Sequence, residues 1–160
     1  MSLGTSTGST GAVPKPAVRR FEDAVVGQTF ALETKIRDVD IDTFAALSGD
    51  YNPLHMDIDA ARTRRHRTRV VHGLLLTAAL SRLVGMEFPG RDCLLESVSV
   101  DFLQPVYCGD TVSLKAVVSQ IQPALRTVVL KVQFLREHET VVRGKVIAKF
   151  LEETVPDASR

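Results

Sequence analysis

The stretch His72-Gly73-Leu74-Leu75-Leu76-Thr77-Ala78-Ala79-Leu80-Ser81-Arg82-Leu83-Val84-Gly85-Met86 decides the fold. Wound as a helix, it carries apolar side chains on nearly every face, so it belongs in an interior rather than on a surface. It falls short of the ~20 apolar residues that span a bilayer, so burial within protein is the expectation. Downstream, from Leu94, the apolar period changes to two and holds: Val98, Val100, Phe102; Val112, Leu114, Ala116, Val118; Val128, Leu130, Val132, Phe134; Val142, Gly144, Val146, Ala148, Phe150. That period predicts four strands. Pro105 with Gly109-Asp110, then Pro123, then Glu137-His138-Glu139 mark the connections, and links this short predict that each strand pairs antiparallel with the next.

Upstream, Phe30, Leu32, Thr34 and Ile36 alternate with polar or small residues and predict a fifth strand, first in chain order. Asp40 is placed to cap a two-turn helix over Ile41–Leu47 that Gly49 ends, and Asp57 to cap a second over Ile58–Arg62. The simplest way to bury one all-apolar helix with such strands is to curl the sheet around it. The expectation is therefore an α+β protein, a single hotdog fold with an antiparallel five-stranded sheet wrapped around a central buried helix.

The chain has 160 residues, room for one core. Its 44% hydrophobic and 24% charged content suits a globular domain, and the formal net charge of +1 gives no global field toward nucleic acid or anionic lipid. Neither nucleic acid nor a membrane is expected as a partner. Cys93 and Cys108 are too few for a disulfide framework and lack Cys-x-x-Cys spacing, which points to a reducing, cytoplasmic setting. Residues 1–18, rich in Ser, Thr, Gly and Pro, read as a flexible tail without the apolar run of a signal peptide. Residues 19–151 form the domain, and 152–160 read as a second tail.

The densest polar cluster is Ser48-Gly49-Asp50-Tyr51-Asn52-Pro53-Leu54-His55, between two helices. Gly-Asp and Asn-Pro form turns for backbone reasons alone, so one reading is a loop whose Asp and Asn cap their own backbone. The other sees a carboxylate and an imidazole, Asp50 and His55, brought together across a proline-stiffened step as a general acid/base pair, the carboxylate partly buried beside the apolar helix. Gly73, opening that helix, offers an unpaired N–H with the positive end of the helix dipole behind it, suited to a developing oxyanion, or else simply permits close packing. His55, His66, His72 and His138 show no ligand spacing such as His-Glu-x-x-His, and no metal or other cofactor is expected.

Phe44-x-x-Leu47-Ser48-Gly49-Asp50-x-Asn52-Pro53-Leu54-His55-x-Asp57, then Val71-His72-Gly73, then Phe102-x-x-Pro105-Val106-x-x-Gly109-Asp110, resembles the MaoC-like (R)-specific enoyl-CoA hydratase and 3-hydroxyacyl-thioester dehydratase family from about Phe21 to Leu151. The resemblance implies a homodimer of single hotdog domains acting on an acyl-CoA or acyl carrier protein thioester. It implies Asp50 and His55 as catalytic residues and Gly73 as the oxyanion donor. Ser81 matches a family serine that supports the catalytic carboxylate, and Asn52 falls on the motif's asparagine, expected to orient the loop and the histidine. Adding water to an enoyl thioester needs a proton taken from water, a proton given to the α-carbon and charge held on the thioester oxygen, which those groups supply.

Arg62, Arg64, Arg65, Arg67 and Arg69 fall within eight residues that hold no acid. One reading is a solvated loop; the other is a dock for coenzyme A phosphates or an acidic carrier, with Arg64, Arg65 and Arg67 as its guanidinium forks. Two further functions share the fold and ligand. A hotdog thioesterase would cleave the thioester, and a non-catalytic acyl-thioester-binding subunit would be expected to lack Asp50 or His55.

Overall fold

A computed structural model describes residues 13–152. The alternation around Phe30 emerges as β1 (Thr29–Lys35). It is followed by α1 (Asp38–Ser48), the short α2 (Pro53–Met56), α3 (Ile58–Thr63) and α4 (Gly73–Arg82), which runs into a π turn over Leu83–Glu87. The remaining strands are β2 (Cys93–Phe102), β3 (Thr111–Gln122), β4 (Thr127–Arg136) and β5 (Glu139–Phe150). All pairings are antiparallel, in one five-stranded sheet of order β1-β3-β4-β5-β2.

That order corrects one expectation. β3, β4 and β5 pair in succession, but β2 pairs with β5 and leaves the inner edge of β3 to β1. The link 103–110 can reach ~26 Å when extended, against about 14 Å for the three strand spacings it crosses, so a short connector did not force neighbours. β2 approaches β5 closely where Gly144 faces Val100, since a Cβ there would lie 2.3 Å from the Ser99 carbonyl.

The core lies in the sheet's concavity. Inward residues Val112, Leu114, Ala116 and Val118 of β3, Val128, Leu130, Val132 and Phe134 of β4, and Val142, Val146, Ala148 and Phe150 of β5 enclose Leu76, Leu80, Leu83, Val84 and Phe88. Full burial of each large side chain contributes ~1.5–3 kcal/mol. This is the hotdog arrangement expected from the sequence. The helix is not enclosed on all sides within one chain, however: Leu76 and Leu80 are buried, while Leu74 remains 64% exposed.

Two local differences concern helix starts and the chain end. α1 begins two residues before the expected cap, because Arg37 and Asp40 form a capping box, the Arg37 N–H donating to Asp40 Oδ2 at 2.8 Å and the guanidinium gripping the same carboxylate. Within the expected N-terminal tail, Ala17 donates its N–H to the Met86 carbonyl at 2.8 Å and accepts from the Arg91 N–H at 2.9 Å. The rest of that tail before residue 13, and the C-terminal tail after 152, lie outside the described residues.

Candidate active site

Gly49 ends α1 in the left-handed region, at φ 76°, a conformation glycine takes without a Cβ clash. The chain then turns through Asp50 and Asn52. The Asp50 N–H donates to Ser48 Oγ at 3.2 Å and the Asn52 N–H to Asp50 Oδ1 at 3.1 Å. Asn52 caps α2 by accepting the Leu54 N–H at 2.9 Å, with Pro53 at the first helical position, where its missing N–H costs nothing. α2 then points His55 back toward the loop. Asn52 thus stands at the start of the short helix that carries His55.

Residues 69–72 clamp this loop from outside. Arg69 Nε donates to the His55 carbonyl at 2.6 Å, the Val70 N–H to the Leu54 carbonyl at 3.2 Å, and His55 Nδ1 bonds the Val70 carbonyl at 2.7 Å. His72 Nε2 bonds the Asp50 carbonyl at 2.9 Å. A carbonyl oxygen only accepts, so both imidazoles carry their proton on the nitrogen facing it. In neutral His55 that leaves Nε2 free to accept, 4.0 Å from Asp50 Oδ2.

The structure brings together Asp50, His55 and His72, with their side-chain donor atoms within 4.8 Å of one another. His72 Nε2 lies 3.9 Å from Asp50 Oδ2, and the two imidazole rings stack at 3.9 Å with a 31° tilt. Stacked rings send their in-plane lone pairs side by side rather than onto one point ~2.1 Å from each, and His72 Nε2 is already committed to a carbonyl, so this geometry suits proton exchange better than chelation. His55 is largely covered, with 14% of its side chain exposed, while Asp50, expected to be partly buried, has half of its side chain facing solvent in the single chain.

Gly73 opens α4 directly after His72, whose side chain provides no cap to the first-turn N–H groups. A Cβ on Gly73 would meet the Phe102 ring at 3.0 Å, so glycine also lets that ring close over the helix start. A cavity of about 490 Å³ brings Gly73 and His55 to one space, walled by Val70, Val71, Leu74, Leu76, Phe102, Leu103 and Val106. A larger hollow, about 800 Å³, lies among Lys115, Lys131 and Lys145 and contains none of the proposed catalytic groups.

Ser81 is not brought to Asp50 within the chain. Eight residues beyond Gly73 it stands ~12 Å along the helix, exposed, and no hydrogen bond joins it to Asp50 among the described residues. The arginine window divides. Arg69 is 8% exposed and bridges Asp38 at 3.1 Å and Asp42 at 2.5 Å, tying α1 to the Asp50–His55 loop. Arg67 pairs with Asp110 and lies over the Tyr107 ring at 4.4 Å, and Arg62 sits 3.6 Å from Asp59. Arg64 donates to the Ala60 carbonyl at 3.0 Å; neither it nor Arg65, which follows at φ 66°, has an acidic partner among the described residues. Sequence reasoning missed Arg69 and the His72 side chain as parts of the site. For His72 the signal was present, as its place before Gly73 put an imidazole at the mouth of the same helix.

A curled sheet around a helix, with a carboxylate and an imidazole beside the helix N-terminus and an apolar cavity, defines a hotdog protein equipped to act on an acyl group with a polar head. The chain belongs to the MaoC-like family: the model of the MaoC like domain matches residues 22–139. An (R)-specific enoyl-CoA hydratase of Rhodospirillum rubrum is 34% identical over 125 residues, covering 78% of this chain and 87% of that protein. A 3-hydroxybutyryl-CoA dehydratase of Methylorubrum extorquens is 33% identical over 150 residues, covering 92% and 96%. The solved (R)-hydratase from A. caviae, described as involved in PHA biosynthesis, superposes with a TM-score of 0.78 at 30% identity, covering 81% of this chain and 98% of that one.

Proposed function

We propose that this protein is an enzyme that hydrates trans-2-enoyl thioesters to (R)-3-hydroxyacyl thioesters and catalyses the reverse dehydration. The observation that carries the reading is the 4.0 Å span between Asp50 Oδ2 and His55 Nε2, beside a cavity that also holds Gly73. A water ~2.8 Å from each fits that span. As its oxygen bonds to C3, one of its protons passes to the pair, which then delivers a proton to C2; the hydroxyl and a hydrogen have been added and nothing is oxidised or reduced. Negative charge on the thioester oxygen between the two steps is met by the Gly73 N–H at the positive end of α4. The (R) configuration follows the relatives named above.

The thioesterase reading asks for no different cavity but for another bond to break. Cys108 is a poor nucleophile for it: burial, with Asp38 beside it, pushes its thiol up to about 11. Loss of enoyl conjugation without release of free thiol is the expected result, and thiol release would favour hydrolysis. Asp50→Asn and His55→Ala should each lower kcat by ~10² to 10⁴, and the double variant should be little worse than either alone, because both act on one water. Near wild-type hydration by folded Asp50→Asn would remove Asp50 from this role.

The working unit is read as a homodimer of domains spanning 19–151. Leu95, Val98 and Phe102 point to the concave face of the sheet yet stay 37–47% exposed, since among the described residues only Phe102 meets the start of α4 and no further strand pairs with the outer edge of β2. A CoA or carrier-protein phosphate is read to dock on Arg64 and Arg65, the members of the expected trio without an acidic partner, Arg67 being held by Asp110. Free Cys93 and Cys108 support a reducing, cytoplasmic setting, and among the described residues no helix is long and apolar enough to cross a membrane.

A further inference from the structure

Asp50 presents a problem that the proposed mechanism does not solve. A general base must be held to within a fraction of an ångström of its water, yet this carboxylate is half exposed and stands in a non-helical loop directly after a left-handed glycine. Its own loop supplies contacts from residues two positions away, the Asn52 N–H on Oδ1 and Ser48 Oγ on the Asp50 N–H, and these move with the loop.

The anchor from outside the loop is His72. Its Nε2–H donates to the Asp50 carbonyl at 2.9 Å across 22 residues of sequence. The ring is 2% exposed and packs against the Phe44 ring at 5.0 Å and the His55 ring at 3.9 Å. Its Nδ1 is buried with no hydrogen-bond partner among the described residues. Leaving a buried polar atom unpaired is unfavourable, so an aromatic residue without that nitrogen would suit the packing better, and an imidazole here is explained by what its other nitrogen does. The backbone of the same residue forms the N-cap of α4, immediately before the Gly73 N–H.

We propose that His72 is a positioning residue for the hydration reaction. Through its side chain it fixes the Asp50 backbone, and through its main chain it begins the helix that presents the oxyanion donor, so one rigid residue sets the distance between the base and the group that receives the thioester oxygen. It acts through Asp50 and does not touch the substrate. This inference rests on the reading of Asp50 as the catalytic carboxylate.

The test uses His72→Phe, which keeps a flat ring but removes the donor, and His72→Gln, whose amide N–H reaches the place of Nε2–H. Each is made in the wild-type and Asp50→Asn backgrounds and assayed by steady-state hydration of crotonyl-CoA, with thermal melting to establish folding. His72→Phe should lower kcat roughly 10- to 100-fold with KM within about twofold, the pattern of a misplaced base, and His72→Gln should recover most of that loss. In the Asp50→Asn background His72→Phe should add less than a further ~2-fold, because the carboxylate it positions is gone. Should His72→Phe not fold, His72→Asn, polar but too short to reach the carbonyl, takes its place with the same expected loss. Wild-type kcat in the bond-less variant, no recovery with Gln, or a loss that persists in full beside Asp50→Asn would each overturn the positioning role. Near wild-type hydration by Asp50→Asn alone would instead overturn the active-site reading beneath it.

Discussion

At the scale of single residues, one buried charge holds the Asp50–His55 loop in place. Arg69 shows the logic: a buried guanidinium with two carboxylates of α1 and the His55 carbonyl around it satisfies its fork of donors as a lysine could not. The thiols follow from the same burial. Cys108 is raised to about 11 by burial first and by its bond to Asp38 second, and burial also raises Cys93. Because the thiolate is the reacting form and a raised pKa depletes it, both should label with a disulfide reagent at ~pH 8 far more slowly than an unfolded control, and Cys108 should gain rate only as the pH climbs toward its own value. Rapid labelling of Cys108 in the folded protein at that pH would contradict its environment.

At the scale of elements, α4 and the edge strand β2 share one task. The helix presents Gly73 at its start, Leu76 and Leu80 to the sheet, and Leu74 to the outside, while Phe102 at the end of β2 lies over Gly73. Gly73→Ala places a methyl group against that ring. The backbone there is not left-handed, so the helix should survive, but the ring must move and the mouth of the cavity with it. We expect near wild-type melting temperature and a fall in kcat/KM of at least ~10-fold, short of the ~10² to 10³ that outright removal of an oxyanion donor costs because the N–H itself is kept. Unchanged kinetics in this variant would mean that the Gly73 N–H and Phe102 lie outside the reaction path.

At the scale of the whole molecule, the outer edge of β2 is unpaired among the described residues and concave-face residues stay exposed, a surface that a second copy related by a two-fold axis can close. Analytical ultracentrifugation should give twice the monomer mass at micromolar concentration, and a stable monomer would refute the assembly. The net charge of +1 hides a local excess at the end of α3. Arg64→Ala with Arg65→Ala should raise KM for CoA thioesters several-fold at low salt with kcat nearly intact, an effect that shrinks as salt screens it; an unchanged KM at low salt would return the stretch to a solvated loop.

Sequence by itself determined the elements and the polar residues offered as a candidate site. Period-two runs such as Val128 to Phe134 and the apolar helix from Gly73 are local patterns whose geometry is set by backbone repeat, and the span from Asp50 to His55 is short and stiffened by Pro53, so the pair was legible before any fold. What only the tertiary structure decided were the relations between distant segments. The place of β2 beside β5 depends on which edge competes best for a strand that an eight-residue link lets travel. The half-exposure of Asp50 depends on what a single chain does not cover, and the fate of Arg67 and Arg69 on acids 43 and 27 to 31 residues away. His72 joins both lists: its neighbour Gly73 was legible from helix-start chemistry, but its bond to Asp50 forms across 22 residues, where no local period carries information and only the packing of the loop against the helix end brings donor to acceptor.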